Sequence, residues 1–156
     1  NPERWSTALC VEHMARTELA IVGGLEYSFS VPPNPNWYEE TKGKYDLVRQ
    51  IALNRPKGGV GSPFRAGGEV VPTENWDRAR GIEEFYQSHG AFRAYVETMS
   101  RQIKDRTFLN PFPEVGMLNG FDWLTLTAMH IFRHSLQIEE ILADPNYPKA
   151  STAETD

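Results

Sequence analysis

Four histidines, at positions 13, 89, 130 and 134, are the residues of this 156-residue sequence best suited to chemistry. His130 and His134 are four apart, so on a helix they project from one face about one turn from each other. At roughly 100° per residue, Trp123, Leu126 and Ile141 lie within about 40° of His130, while Ser135 and Glu139 point away. The pair therefore looks into a helical bundle. Two imidazoles on a buried face are awkward as structural residues, because each has two nitrogens in need of partners and neither protonates easily beside the other. A divalent cation resolves both difficulties, using one nitrogen per ring.

The run His130-Ile131-Phe132-Arg133-His134 has isoleucine where a zincin carries its catalytic glutamate, which excludes a thermolysin-like peptidase. A third ligand must come from elsewhere. His13 is the natural candidate, with Leu9, Cys10, Thr17 and Ala20 lining its helix face, and His89, in an apolar seam and followed by Gly90, is its rival. Three histidines with one open position form a recognised catalytic metal arrangement. Gln137, about 20° from His130 and one turn beyond it, is placed to hydrogen-bond a metal-bound water or a substrate. Cys10 reads as a small buried hydrophobe with an inert thiol. The run Lys57-Gly58-Gly59-Val60-Gly61-Ser62 is followed by Pro63 rather than a helix, so it is no phosphate cradle. Trp5 and Trp123 are assigned to the core near the site.

Helices must position these residues. The first is expected from Trp5-Ser6-Thr7, with Ser6 or Thr7 as N-cap, to Gly23-Gly24, using Leu9, Val11, Met14, Leu19, Ile21 and Val22 as its apolar set. Prolines and glycines then crowd a long connection from Ser28 to Asn75, interrupted by a short helix over Tyr38 to Leu53. A connection of this length either wraps the core or borders a site. A further helix is expected from Trp76 to Lys104, with Ile82, Phe85, His89, Phe92, Val96, Met99 and Ile103 as its seam. The last is expected from Gly120 to Ala143, with Asn119 as N-cap. No alternating strand pattern competes, so residues 1–156 read as one all-α bundle domain.

With 16 basic and 21 acidic residues the net charge is −5, which argues against nucleic acid and anionic membrane surfaces as partners. No apolar window is long enough for a membrane span. The single cysteine removes any disulfide framework and fits a reducing, cytoplasmic setting. A homodimer is the expected assembly, with Trp37 and Tyr38 of the long connection as contact candidates.

The chain resembles the DinB-like superfamily of metal-binding four-helix bundles, which includes the YfiT-like proteins and is distinct from the DNA polymerase of similar name. The resemblance rests on Trp5-Ser6, Glu12-His13-Met14 and Glu18 in the first helix. It continues through Asn110-Pro111-Phe112 and Gly120-Phe121-Asp122-Trp123-Leu124 to His130-x-x-Arg133-His134-x-x-Gln137-Ile138. It implies one divalent ion, nickel or zinc, held by His13, His130 and His134, and so prefers His13 to His89, which is left as a core residue. It also implies either a metal-dependent enzyme that activates a low-molecular-weight thiol for S-transfer, or water for hydrolysis. The competing expectation is a non-catalytic helical interaction module stapled by its metal. Asn110 stands where many relatives have histidine, a departure remote from the metal. Relatives usually carry a further helix before Trp-Ser; either it is lacking here, or the short helix near Tyr38 to Leu53 takes part in the packing instead.

Overall fold

A computed structural model of the chain describes residues 5–54, 66–73, 75–99 and 102–148, and the glycine run at 57–62 lies outside them. Helix α1 spans Thr7–Ser28. It starts where extended Ser6 accepts the Leu9 N–H at 3.3 Å, satisfying one of the orphan donors of the first turn. It does not stop at Gly23-Gly24. Neither glycine takes a positive φ, and a Cβ on Gly24 would lie 3.2 Å from the Phe108 ring, so this glycine admits a neighbour rather than ending a helix.

The short helix of the long connection is two helices, α2 (Trp37–Thr41) and α3 (Lys44–Leu53), because Gly43 between them adopts a left-handed φ of 78°. A 3₁₀ turn at Gly68–Val70 follows and lies against α1. Helix α4 runs over Arg78–Met99, opened by the Asp77 carboxylate accepting the Arg80 N–H at 2.8 Å. Two strands that sequence periodicity missed, β1 (Thr107–Leu109) and β2 (Met117–Asn119), pair antiparallel with Phe108 opposite Leu118. Three residues each is too short for an alternation to register. Strand β2 feeds directly into α5 (Gly120–Leu142), where Asn119 and Asp122 form a reciprocal capping box.

The four long helices make an all-α bundle: α1 packs on α4 and α5, and α3 packs on α5. Thus the short helix of the connection does take part in the packing. The core joins Ile21 and Leu25 of α1, Val48 of α3, Tyr95 of α4, Trp123 of α5, and Ile103, Val115 and Leu118 from the hairpin region. Leu25, Ile103 and Leu118 are wholly shielded, each burial contributing about 1.5–3 kcal/mol. Among the described residues no helix is long and apolar enough to cross a membrane.

The inward face of α4 differs from the expected seam. Ile82 is exposed, whereas Gly81, Ser88, Phe92 and Tyr95 are buried. The cause lies on α1, whose hidden face carries Glu12 and Glu18 beside its apolar residues. Glu18 has no solvent exposure and must find donors; Ser88 Oγ supplies one at 3.1 Å and His89 Nδ1 another at 2.7 Å. His89 is therefore not a core residue. Its side chain is 40% exposed, stacks on Phe85 and pairs with a buried carboxylate.

Candidate metal centre

Helix α1 delivers His13 and helix α5 delivers His130 and His134 to a common point. His130 Nε2 lies 3.0 Å from His13 Nε2 and 3.1 Å from His134 Nε2. A set of ligand atoms, one from each ring, fits within 4.8 Å, and neither Cys10 nor any carboxylate joins this cluster among the described residues. His13 and His134 are buried and His130 is half-buried, although its Nδ1 is shut off from solvent. Trp5 closes one side, its ring edge-on to His13 at 4.7 Å and stacked near His134 at 5.9 Å. Trp123 is buried as expected, but its ring packs on Phe108 at 4.3 Å within the main core.

The outer nitrogens of two rings are already committed. His13 Nδ1–H donates to the Val70 carbonyl at 2.7 Å, and His134 Nδ1–H donates to Gln137 Oε1 at 3.0 Å. Each therefore presents an Nε2 lone pair inward. Gln137 bonds the outer nitrogen of the His134 ring.

His130 cannot satisfy this arrangement by itself. A proton on its Nε2 leaves its Nδ1 a buried acceptor with no hydrogen-bond partner among the described residues. A proton on Nδ1 instead leaves that donor unpaired and sets three lone pairs facing one another. An unpaired buried polar group costs about 1–3 kcal/mol. A divalent cation turns the three lone pairs into ligands, and two nitrogens on a tetrahedral zinc stand about 3.3 Å apart, given Zn–N bonds near 2.0–2.1 Å. The residues present fit a metal ion.

Electrostatics favour the ligand form of the rings. Burial, then the adjacent His134 and His13 and the Arg133 guanidinium, push His130 well below the ordinary histidine value of 6.5. Burial also lowers His13, with Arg133 adding to it and the Val70 hydrogen bond opposing it. Both are neutral near pH 7, as metal ligation requires.

A family model of the DinB superfamily matches residues 1–138. The chain belongs to the DinB superfamily. No curated protein and no solved structure gives a significant match. This DinB-superfamily chain thus joins an all-α bundle to a cluster of three histidines able to hold a metal ion.

Sequence reasoning marked the long connection as a candidate wall of a site but named no residue of the 66–73 segment. Its Val70 carbonyl orients His13, and its Thr73 donates both N–H, at 2.8 Å, and hydroxyl, at 2.7 Å, to Glu12 Oε1. Burial alone would raise the Glu12 pKa, but the two Thr73 bonds and then Arg16 outweigh it and hold the carboxyl below its ordinary 4.5. The length of the connection was the one signal that this segment borders a site. A backbone carbonyl leaves no mark in residue types.

Proposed function

We propose that His13, His130 and His134 bind one divalent ion, nickel or zinc, and that the protein uses it to activate a low-molecular-weight thiol for transfer to an electrophile, or water for hydrolysis. The observation that carries this reading is the convergence of three Nε2 atoms with no fourth protein ligand among the described residues. Structural metal sites are normally closed by four protein ligands, whereas catalytic ones keep a position open. An ion held by three neutral imidazoles lowers the pKa of a thiol or water that joins it, supplying a nucleophile near neutral pH.

The chain's own residues do the positioning. Val70 and Gln137 lock the tautomers of His13 and His134 so that both lone pairs point inward. Trp5 shields one flank of the cluster. Thr17 Oγ1, on the His13 face one turn along α1, is buried with no hydrogen-bond partner among the described residues. The absence of a carboxylate from the cluster, among the described residues, favours an incoming thiol, which needs no protein base once its pKa is lowered, over base-assisted hydrolysis. A cytoplasmic homodimer completes the reading; buried Cys10 suits a reducing compartment, and exposed Tyr38 beside Trp37 offers a contact surface.

Metal analysis of the purified, reconstituted protein tests the site, with about one divalent ion per chain expected and its loss in His130→Ala and His134→Ala. A screen of thiol conjugation to small electrophiles then tests turnover. A wild-type protein that stays metal-free after reconstitution overturns the proposal. Stoichiometric metal with no conjugation or hydrolysis returns the reading to a metal-stapled interaction module.

A further inference from the structure

Two consecutive residues of α1 grip the same stretch of the long connection. His13 Nδ1–H holds the carbonyl of Val70, and Glu12 Oε1 accepts the N–H and hydroxyl of Thr73, three residues on. Arg16, one turn along, bonds the same Glu12 oxygen at 2.9 Å and reaches the Glu69 carbonyl and the Thr73 hydroxyl at 3.2 and 3.3 Å. Just ahead of these anchors the strap turns through Gly68, whose φ of 60° lets the Val71 N–H close onto the Gly68 carbonyl.

No apolar residue of this strap is fully buried. Within residues 66–73, Ala66, Val70 and Pro72 are half-buried and the other residues are exposed, including Val71 at 41%. Its attachment to α1 is polar and centres on one carboxylate that is only 1% exposed. A buried carboxylate accepting three hydrogen bonds is a strong, directional anchor, and removing it leaves the Thr73 N–H, the Thr73 hydroxyl and Arg16 Nε without their acceptor.

We infer that Glu12 is a positioning residue for the metal centre, acting through the 66–73 strap to hold the Val70 carbonyl against His13 Nδ1. Loss of the anchor frees the strap, the Nδ1–H loses its acceptor, and the His13 ring gains access to the tautomer whose Nε2 carries the proton and cannot ligate. The carboxylate itself stays outside the cluster. The inference rests on the proposed three-histidine site, with the state of His13 giving a readout independent of metal.

The experiment compares Glu12→Ala, Glu12→Gln and Glu18→Gln in the full chain. Glu18 is equally buried on the same helix but bonds to α4, so its variant reports what general destabilisation does. Zinc and nickel affinities are measured by chelator competition, and the His13 tautomer by imidazole ¹⁵N NMR of the metal-free protein. Glu12→Ala is expected to weaken metal binding by about 10–100-fold, the usual range for a lost outer partner of a metal ligand, and to shift His13 from a single Nδ1–H tautomer to a mixture. Glu12→Gln, whose amide oxygen can still accept from Thr73, is expected to restore most of the affinity and the single tautomer. Glu18→Gln is expected to lower the Tm but change metal affinity less than twofold. Unchanged affinity and tautomer in Glu12→Ala, or equal weakening in Glu18→Gln, overturns the inference. Should the wild-type protein take up no metal, the proposed function fails, and the ¹⁵N comparison alone decides the role of Glu12.

Discussion

Position 137 gives a test in which two substitutions must act with opposite signs. Gln137 Oε1 accepts the His134 Nδ1–H at 3.0 Å on a helix surface that the His134 ring shares. Gln137→Leu removes this acceptor and frees the tautomer; outer partners of this kind are worth about 10–100-fold in metal affinity, or roughly 1.4–2.7 kcal/mol. Gln137→Glu keeps the shape and turns the neutral acceptor into a carboxylate. Hydrogen bonds to charged groups contribute about 1.5–3 kcal/mol against about 0.5–1.5 for neutral ones, so the ring becomes a better donor of its lone pair by about 1 kcal/mol, roughly fivefold in affinity. Competition of the purified protein with a chromophoric chelator for zinc and for nickel at pH 7.5 measures both. Leucine must weaken binding and glutamate must tighten it. Affinities within twofold of wild type for both variants, or weakening by both, would refute the idea that Gln137 works by orienting and polarising His134.

Four further outcomes are expected. Gly120→Ala drives a Cβ into the Ile103 carbonyl oxygen and should lower stability by about 1–3 kcal/mol. Gly23→Ala meets nothing within 4 Å inside α1 and should raise stability by up to about 1 kcal/mol, so thermal melts of the two variants must move in opposite directions. His13 and His130 lie below the ordinary value of 6.5 in the folded state, so below about that pH the unfolded chain binds protons that the folded one refuses. The metal-free protein should therefore lose Tm between pH 7.5 and 5.5, a window above that in which protonation of Glu12, ordinarily near 4.5 and lowered by folding, contributes; a Tm that rises on acidification contradicts the burial of neutral imidazoles. Trp5, with its ring 4.7 Å from that of His13, should dominate nickel quenching of tryptophan fluorescence, and Trp5→Phe should abolish most of the quench.

Helix starts were legible because capping chemistry is local. Ser6 caps α1 and Asn119 caps α5 where their residue types place them. Helix ends and faces were less so, because neighbours decide them. Gly23-Gly24 reads as a stop until Phe108 is seen against Gly24, and Gly43, an ordinary interior position in the pattern, divides the predicted helix at 38–53. The seam of α4 was misplaced for an energetic reason: apolar periodicity ranks Ile82 and His89 inward, but the demand of buried Glu18 for donors draws Ser88 inward and leaves Ile82 in solvent.

The candidate site divides along the same line. His130 and His134 carry their own signal, a one-turn spacing on an apolar face, and the structure brings their Nε2 atoms to 3.1 Å. His13 comes from 117 residues earlier, and only the family resemblance separated it from His89, because one histidine on one helix has no periodic partner. What prepares His13 for ligation is less visible still: a main-chain oxygen, held through Thr73 by a glutamate that faces away from the cluster. Residue types disclose groups that could bind a metal. The proton on each ring is set by the other end of that ring, and for His13 that end meets backbone, so the readiness of this site is a property of the fold.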